Sequence, residues 1–132
     1  MVSFIAFAQP GSNPSANLPG KWLLTKHLLS ENGKTSDLLT SDETYTYEFK
    51  ANKTYSSSFV NTNNQSVTII NGKWRFSKGG KELQLYDNKQ LNDEHLVSDK
   101  KFPVIKLTAK EFVTKELLFG MDLLGTSHYT KQ

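Results

Sequence analysis

The apolar positions of this chain alternate; they do not recur at helical spacing. Residues 44–50 put Tyr45, Tyr47 and Phe49 on one face and Thr46, Glu48 and Lys50 on the other, the period of a strand with one buried side. A tight turn at Ala51-Asn52-Lys53, with Asn52 suited to the left-handed conformation, leads into a return strand over residues 54–60. That strand carries Tyr55 and Phe59 inward with serines between them. Residues 21–29, 82–86, 102–107, 111–119 and 125–131 read as further strands, with Leu83 and Leu85 inward and Tyr129 the aromatic of the last. Turn chemistry separates them at Ser30-Glu31-Asn32-Gly33-Lys34, Lys78-Gly79-Gly80-Lys81 and Thr108-Ala109-Lys110.

Three segments interrupt the regularity. Over residues 66–77, Val67 and Ile69 have odd parity but Trp74 and Phe76 even parity. Keeping both pairs on one face needs an inserted residue, and Asn71-Gly72 is placed for a β-bulge. A hairpin turn there is the alternative, but it leaves two very short arms. Residues 35–42 are expected as a connection in which Ser36 or Asp37 caps a short helical turn, with Leu38 and Leu39 folded back as a flap over one barrel end. Residues 87–101 form a polar connection, long for a structureless loop and therefore a lid or an excursion.

The pattern predicts about eight antiparallel strands joined to their sequence neighbours. The fold class is all-β, a single antiparallel up-and-down β-barrel that removes free edges by closure. Gly20-Lys21-Trp22 and Gly72-Lys73-Trp74 repeat about fifty residues apart, each opening or continuing a strand. A glycine followed by a large inward indole suits the closed end of such a barrel. Trp22 and Trp74 are therefore expected as plugs.

Composition adds limits. The 132 residues suffice for one domain, and a hydrophobic content of 36% suits an alternating sheet with one wet face. Eight Phe, five Tyr and two Trp supply large inward groups. The net charge of +3 comes from lysines scattered singly over strands and turns, with Arg75 the sole arginine; this pattern argues a solvated surface and no nucleic-acid partner. Absence of cysteine excludes disulfides, thiolate metal sites and a cysteine nucleophile. No integral membrane segment is expected. Ala6-Phe7-Ala8 has the A-x-A form of a signal-peptidase site, so residues 1–8 read as a signal-peptide remnant and residues 9–17 as a flexible leader before a domain over residues 18–132. Secreted or periplasmic localisation follows from that reading.

Four motifs in order carry a resemblance: Leu18-Pro19-Gly20-Lys21-Trp22; the hairpin from Tyr47-Glu48-Phe49 to Thr54-Tyr55; Gly72-Lys73-Trp74-Arg75-Phe76 with Glu82-Leu83-Gln84-Leu85; and Ser127-His128-Tyr129. Together they resemble the lipocalin-like domains of secreted and periplasmic bacterial proteins over residues 18–131. The resemblance implies an eight-stranded calyx, export, and binding of a small hydrophobic molecule. The chain departs from the true lipocalin pattern in lacking a late arginine to stack over the first-strand tryptophan, a Thr-Asp-Tyr motif and a long C-terminal helix.

The inward side chains Tyr45, Tyr47, Tyr55, Phe59, Phe76 and Leu85 are the candidate walls of a ligand pocket, with tyrosine hydroxyls to orient a polar head. An eight-stranded barrel can equally be filled by its own side chains. His27, His95 and His128 show no paired metal-ligand spacing, and Asp93-Glu94-His95 are adjacent loop residues that point different ways. No nucleophile elbow or phosphate loop is present, so no enzyme, cofactor or metal is expected. The leading expectation is an exported, monomeric, non-catalytic binder of a small hydrophobic or amphipathic ligand. The alternative is a filled barrel acting as an interaction module, with Leu38, Leu39, Leu91, Leu96 and Val97 as apolar handles.

Overall fold

Alternation forces one face of every strand out of water, and a sheet of this size satisfies that by curling onto itself. The computed structural model describes residues 14–92, 96–118 and 123–132. The expected signal remnant, the first five leader residues and the Asp93-Glu94-His95 cluster lie outside the described residues. A helical turn, α1 (Pro14–Asn17), leads into β1 (Gly20–Glu31), β2 (Lys34–Asp37), β3 (Glu43–Phe49), β4 (Thr54–Asn61), β5 (Ser66–Ser77) and β6 (Glu82–Gln90). β7 (Leu96–Val97), β8 (Lys100–Leu107), β9 (Glu111–Leu118) and β10 (Leu123–Lys131) follow. The antiparallel order β10-β9-β8-β6-β5-β4-β3-β1 closes through pairing of β10 with β1, giving an eight-stranded barrel as expected. β2 folds back on the far half of β1, and β7 is a short addition to β6.

One end of the barrel is solid. Leu18, Trp22, Phe49, Tyr55, Trp74, Leu83, Leu85, Leu107 and Phe112 form a continuous cluster, none more than 5% exposed. Phe49 meets the rings of Trp74 and Phe112 edge-on at centroid distances of 6.1 and 6.4 Å, the geometry aromatic quadrupoles favour.

The repeated Gly-Lys-Trp motif receives a single physical account. Each indole is fully buried and gives its N–H to a backbone carbonyl of the segment that shuts the end: Trp22 Nε1 to Leu18 O at 2.7 Å, Trp74 Nε1 to Lys50 O at 3.0 Å. Each carries a lysine ammonium over its ring, Lys131 over Trp22 and Lys53 over Trp74, at 5.0 and 4.2 Å from the centroid. Lys131 also donates to the Asn17 carbonyl at 3.0 Å. The first-strand tryptophan thus gains a late cation after all, supplied by a lysine of β10.

The two glycines differ in cause. Gly20 adopts φ +137°, a conformation side chains resist, beneath the Lys131 stem. Gly72 is needed for space: a Cβ there would stand 2.5 Å from Asn88 Oδ1 and 2.8 Å from a Tyr55 ring carbon.

Several local expectations are corrected. β5 keeps one parity, with Thr68, Ile70, Gly72, Trp74 and Phe76 on the inner face, while Val67 stays 60% exposed opposite Val60. The register does shift beside Gly72, but the added residue belongs to β6, where Asp87 takes φ 52°. This bulge turns Asn88 into the barrel. There its Oδ1 accepts the Tyr55 hydroxyl at 2.6 Å, and its amide donates to the carbonyls of Leu85 and Ser98. In the β3–β4 turn Lys53, not Asn52, takes positive φ, while the Asn52 side-chain Oδ1 accepts the N–H and hydroxyl of Thr54. Residues 34–37 are strand, not helical turn: the Asp37 carboxylate, instead of capping a helix, accepts the backbone N–H groups of His27 and Leu39. Residues 87–90, 96–97 and 100–101 of the expected polar connection belong to β6, β7 and β8.

Candidate functional site

Above the solid half, the inner residues become smaller and the barrel opens. A cavity of about 280 Å³ lies at the end where β1 finishes and β3 begins. Its floor is formed by Tyr47, Ile70, Phe102 and Tyr129, which pack downward against the buried cluster. Its walls are Leu24 and His27 of β1, Tyr45 and Thr46 of β3, Ser57, Ser58 and Phe59 of β4, Thr68 of β5, Lys100 of β8 and Ser127 of β10. Tyr45 and Phe59 face each other across the β3–β4 ladder and stack at 4.3 Å, forming one flat apolar wall. Beside them the inward positions are Ser57 and Thr68, too short to reach across, and that deficit of volume is the hollow.

The strand geometry gives the cavity a seam. β1 pairs with β3 only from Gly20 to Leu23, and with β2 only from Leu28 to Glu31. Between those ladders lie Leu24 and His27, both lining the cavity, and a bulge opposite His128 and Tyr129 turns His27 toward the interior side of β1. The β2 hairpin is tied across the upper part of this seam. Leu38 N donates to the His27 carbonyl at 2.7 Å, and Asp37 Oδ1 accepts from His27 N at 3.1 Å and Leu39 N at 3.0 Å. Those two donated hydrogen bonds, Leu39's foremost, hold the Asp37 carboxyl below its ordinary value. Leu38 is 37% exposed at this rim.

Of the six residues expected to form a pocket wall, the cavity brings together Tyr45, Tyr47 and Phe59. Tyr55 and Leu85 lie in the buried cluster, and Phe76 packs against that cluster beside Trp74 at 5.9 Å. Burial raises the Tyr55 hydroxyl far above its ordinary value, so it remains a neutral donor to Asn88. Burial, with the Glu43 charge adding to it, raises Tyr45 as well.

Lys100 and Phe102 were not among the expected wall residues. The alternation Lys100–Phe102–Val104 was available as a signal, but residues 87–101 read as a polar loop and hid its first member. Ser57 and Thr68 carry no sequence mark, because their contribution is a lack of bulk. Among the described residues, no three His, Asp or Glu side chains gather into a metal-binding group. Asp37 is exposed and stands outside the cavity lining, accepting the His27 backbone N–H and feeling the charge of its imidazole as well.

The family model for the lipocalin-like domain matches residues 18–114, from the buried Leu18 to the middle of β9. The chain belongs to the lipocalin-like domain family. No curated protein matches the chain in sequence. Among the described residues no helix is long and apolar enough to cross a membrane.

Proposed function

We propose that this is an exported, non-catalytic lipocalin-like protein that holds one small hydrophobic or amphipathic molecule in the open half of its barrel. The observation that supports the reading is the 280 Å³ cavity with an apolar floor and hydroxyls among its walls. Known small-molecule sites begin at roughly this size and combine apolar walls with a few placed polar groups. At about 30 Å³ per water molecule, the space equals roughly nine waters, room for a small amphiphile. Export rests on the Ala6-Phe7-Ala8 sequence, with a mature chain starting near Gln9.

Calorimetric titration with 1-octanol tests the binding role. One saturable equivalent is expected, lost when Ser57→Phe fills the hollow without touching the solid half. A Ser57→Phe protein that folds and still takes up octanol, or a native protein that never saturates, removes the reading. Native mass spectrometry of gently purified protein should in addition show a bound species.

A second reading has its own observation. Val67 and Leu91 are 60% and 50% exposed, and the Leu91 N–H donates to the Ile69 carbonyl, so an apolar corner forms on the outer face of β5. That corner fits a protein-interaction module. Val67→Lys with Leu91→Lys would abolish partner capture in that case and leave octanol uptake unchanged.

A further inference from the structure

We infer that the ligand is an anionic amphiphile, a short-chain acid whose charged head is held at the cavity rim by Lys100 while its tail lies on Phe59, Ile70 and Phe102. This inference rests on the binding role proposed above and names the chemical class that the same cavity selects.

Lys100 sits at the start of β8. It pairs with Leu85, an inward residue only 1% exposed, and stands two positions before Phe102, which forms part of the floor. By strand alternation Lys100 therefore occupies an inward position of the barrel, where apolar side chains are the rule. It makes no ion pair with any described residue, although lysines elsewhere on the molecule do: Lys73 with Asp87 and Lys106 with Glu111. The described lining contains one further group able to carry positive charge, His27, and no carboxylate. A carboxylate or sulfonate at the Lys100 side of the mouth meets a cation and no lining carboxylate, while the Glu43 charge, which reaches Tyr45, belongs to β3. A cationic head would meet the reverse.

The rest of the cavity supports the same orientation. Thr68, opposite Phe59, places a hydroxyl donor on the wall above the floor, complementary to an acceptor-only head group. The floor is apolar and packed against the core, so a tail is the part that goes down and a head is the part that stays up. Lys100 is at the exposed rim and not in the depths, so its ammonium keeps water until the head arrives. The attraction at such a half-wet position is moderate and screened by salt. A preference of about tenfold for the acid over its neutral isostere is the expected scale for a charge-assisted hydrogen bond there.

The test compares octanoate with 1-octanol by calorimetry at pH 7.5, at low and high sodium chloride, on the native protein, Lys100→Gln and Lys100→Arg. Octanoate should bind about tenfold more tightly than octanol at low salt, and the gap should narrow at high salt. Lys100→Gln should bring the two within about twofold by weakening octanoate alone, and Lys100→Arg should keep the preference. Equal affinity for acid and alcohol in the native protein overturns the inference while leaving the binding role intact. So does a preference for acid that survives Lys100→Gln, since the head would then be held elsewhere. Failure of both ligands to bind removes the binding role and this inference together. Lys100→Gln folding is checked by its octanol affinity, which should match the native protein.

Discussion

The two ends of this barrel are built from the same eight strands and the same alternation, yet one is solid and the other hollow. At the solid end the small inward Gly72 has large neighbours to cover it: it lies opposite Tyr55, and the Tyr55 ring and the turned-in Asn88 occupy the space a side chain would have filled. Polar atoms that enter are claimed, the two indole N–H groups by carbonyls and the Tyr55 hydroxyl by Asn88. Four pairs further along the same β4–β5 ladder, Phe59 faces Thr68, but Phe59 stacks sideways on Tyr45 and leaves Thr68 and Ser57 uncovered. Whether an eight-stranded barrel is filled or hollow is therefore decided pair by pair. Here both conditions hold within one molecule.

That contrast can be broken most forcefully through the tryptophans. Trp22→Ala should cost about 3–5 kcal/mol in urea unfolding, a large fraction of the 5–15 kcal/mol that holds a domain together. Trp74→Ala should match it, since each indole has the same buried setting, carbonyl partner and lysine cover. Phe59→Ala should cost less than about 2 kcal/mol, because one side of that ring already faces the cavity and loses no packing. A Phe59 penalty equal to that of Trp22 would erase the distinction between the ends.

The next effect in size sharpens the cause. Gly72→Ala should destabilise by about 1–3 kcal/mol, as overpacking against Asn88, Tyr55 and the Tyr86 carbonyl forces neighbours apart. Tyr55→Phe should cost about 1–2 kcal/mol by orphaning the buried Asn88 oxygen. The two penalties should not add in the double variant, because both act on one contact, and a double-mutant cycle reads the coupling directly.

The smallest effects are titrations, one at each end. Glu82, at the closed end, is held at about 2 against an ordinary 4.5, chiefly by the Gln84 amide and then by the Ser77 hydroxyl, with Lys78 adjacent. A depressed carboxyl stabilises the fold above its unfolded value and loses that contribution as pH falls through its folded value. The melting-temperature gap between native protein and Glu82→Gln should therefore be full above pH 4.5 and close as pH approaches 2. Asp37, at the open end, is depressed in the same direction, but its hydrogen bonds tie only the β2 hairpin. Its protonation below pH 3.8 should move the amide proton resonances of His27 and Leu39 while leaving the tryptophan indole signals in place. Indole signals that shift in step with them would mean the ends are not separate.

Much of the architecture could be read from the chain, because alternation reports burial directly. Tyr45, Tyr47 and Phe49 declared β3, and the two Gly-Lys-Trp triplets declared the closed end. The parity argument over residues 66–77 went astray for a physical reason: it assumed that Val67 and Ile69 must be inside, whereas a β-branched residue on an outer face is ordinary for a strand. The bulge that argument demanded exists on the partner strand, where Asp87 carries no glycine to advertise it. Residues 34–37 read as a connection because Lys34-Thr35-Ser36-Asp37 is polar throughout, yet a hairpin needs only a paired backbone. The candidate site was half legible. Rings announce a wall, but Ser57 and Thr68 create the hollow by what they lack, and Lys100 has the sequence surroundings of a solvated loop although β8 begins there.

The most direct measurement is an amide and indole nuclear magnetic resonance map of the protein titrated with 1-octanol. Saturable shifts should gather at Tyr45, Ser57, Phe59, Thr68 and Lys100, with the Trp22 and Trp74 indole signals unmoved. Shifts centred on the indoles, or none at saturating octanol, would contradict a barrel that is solid at one end and receptive at the other.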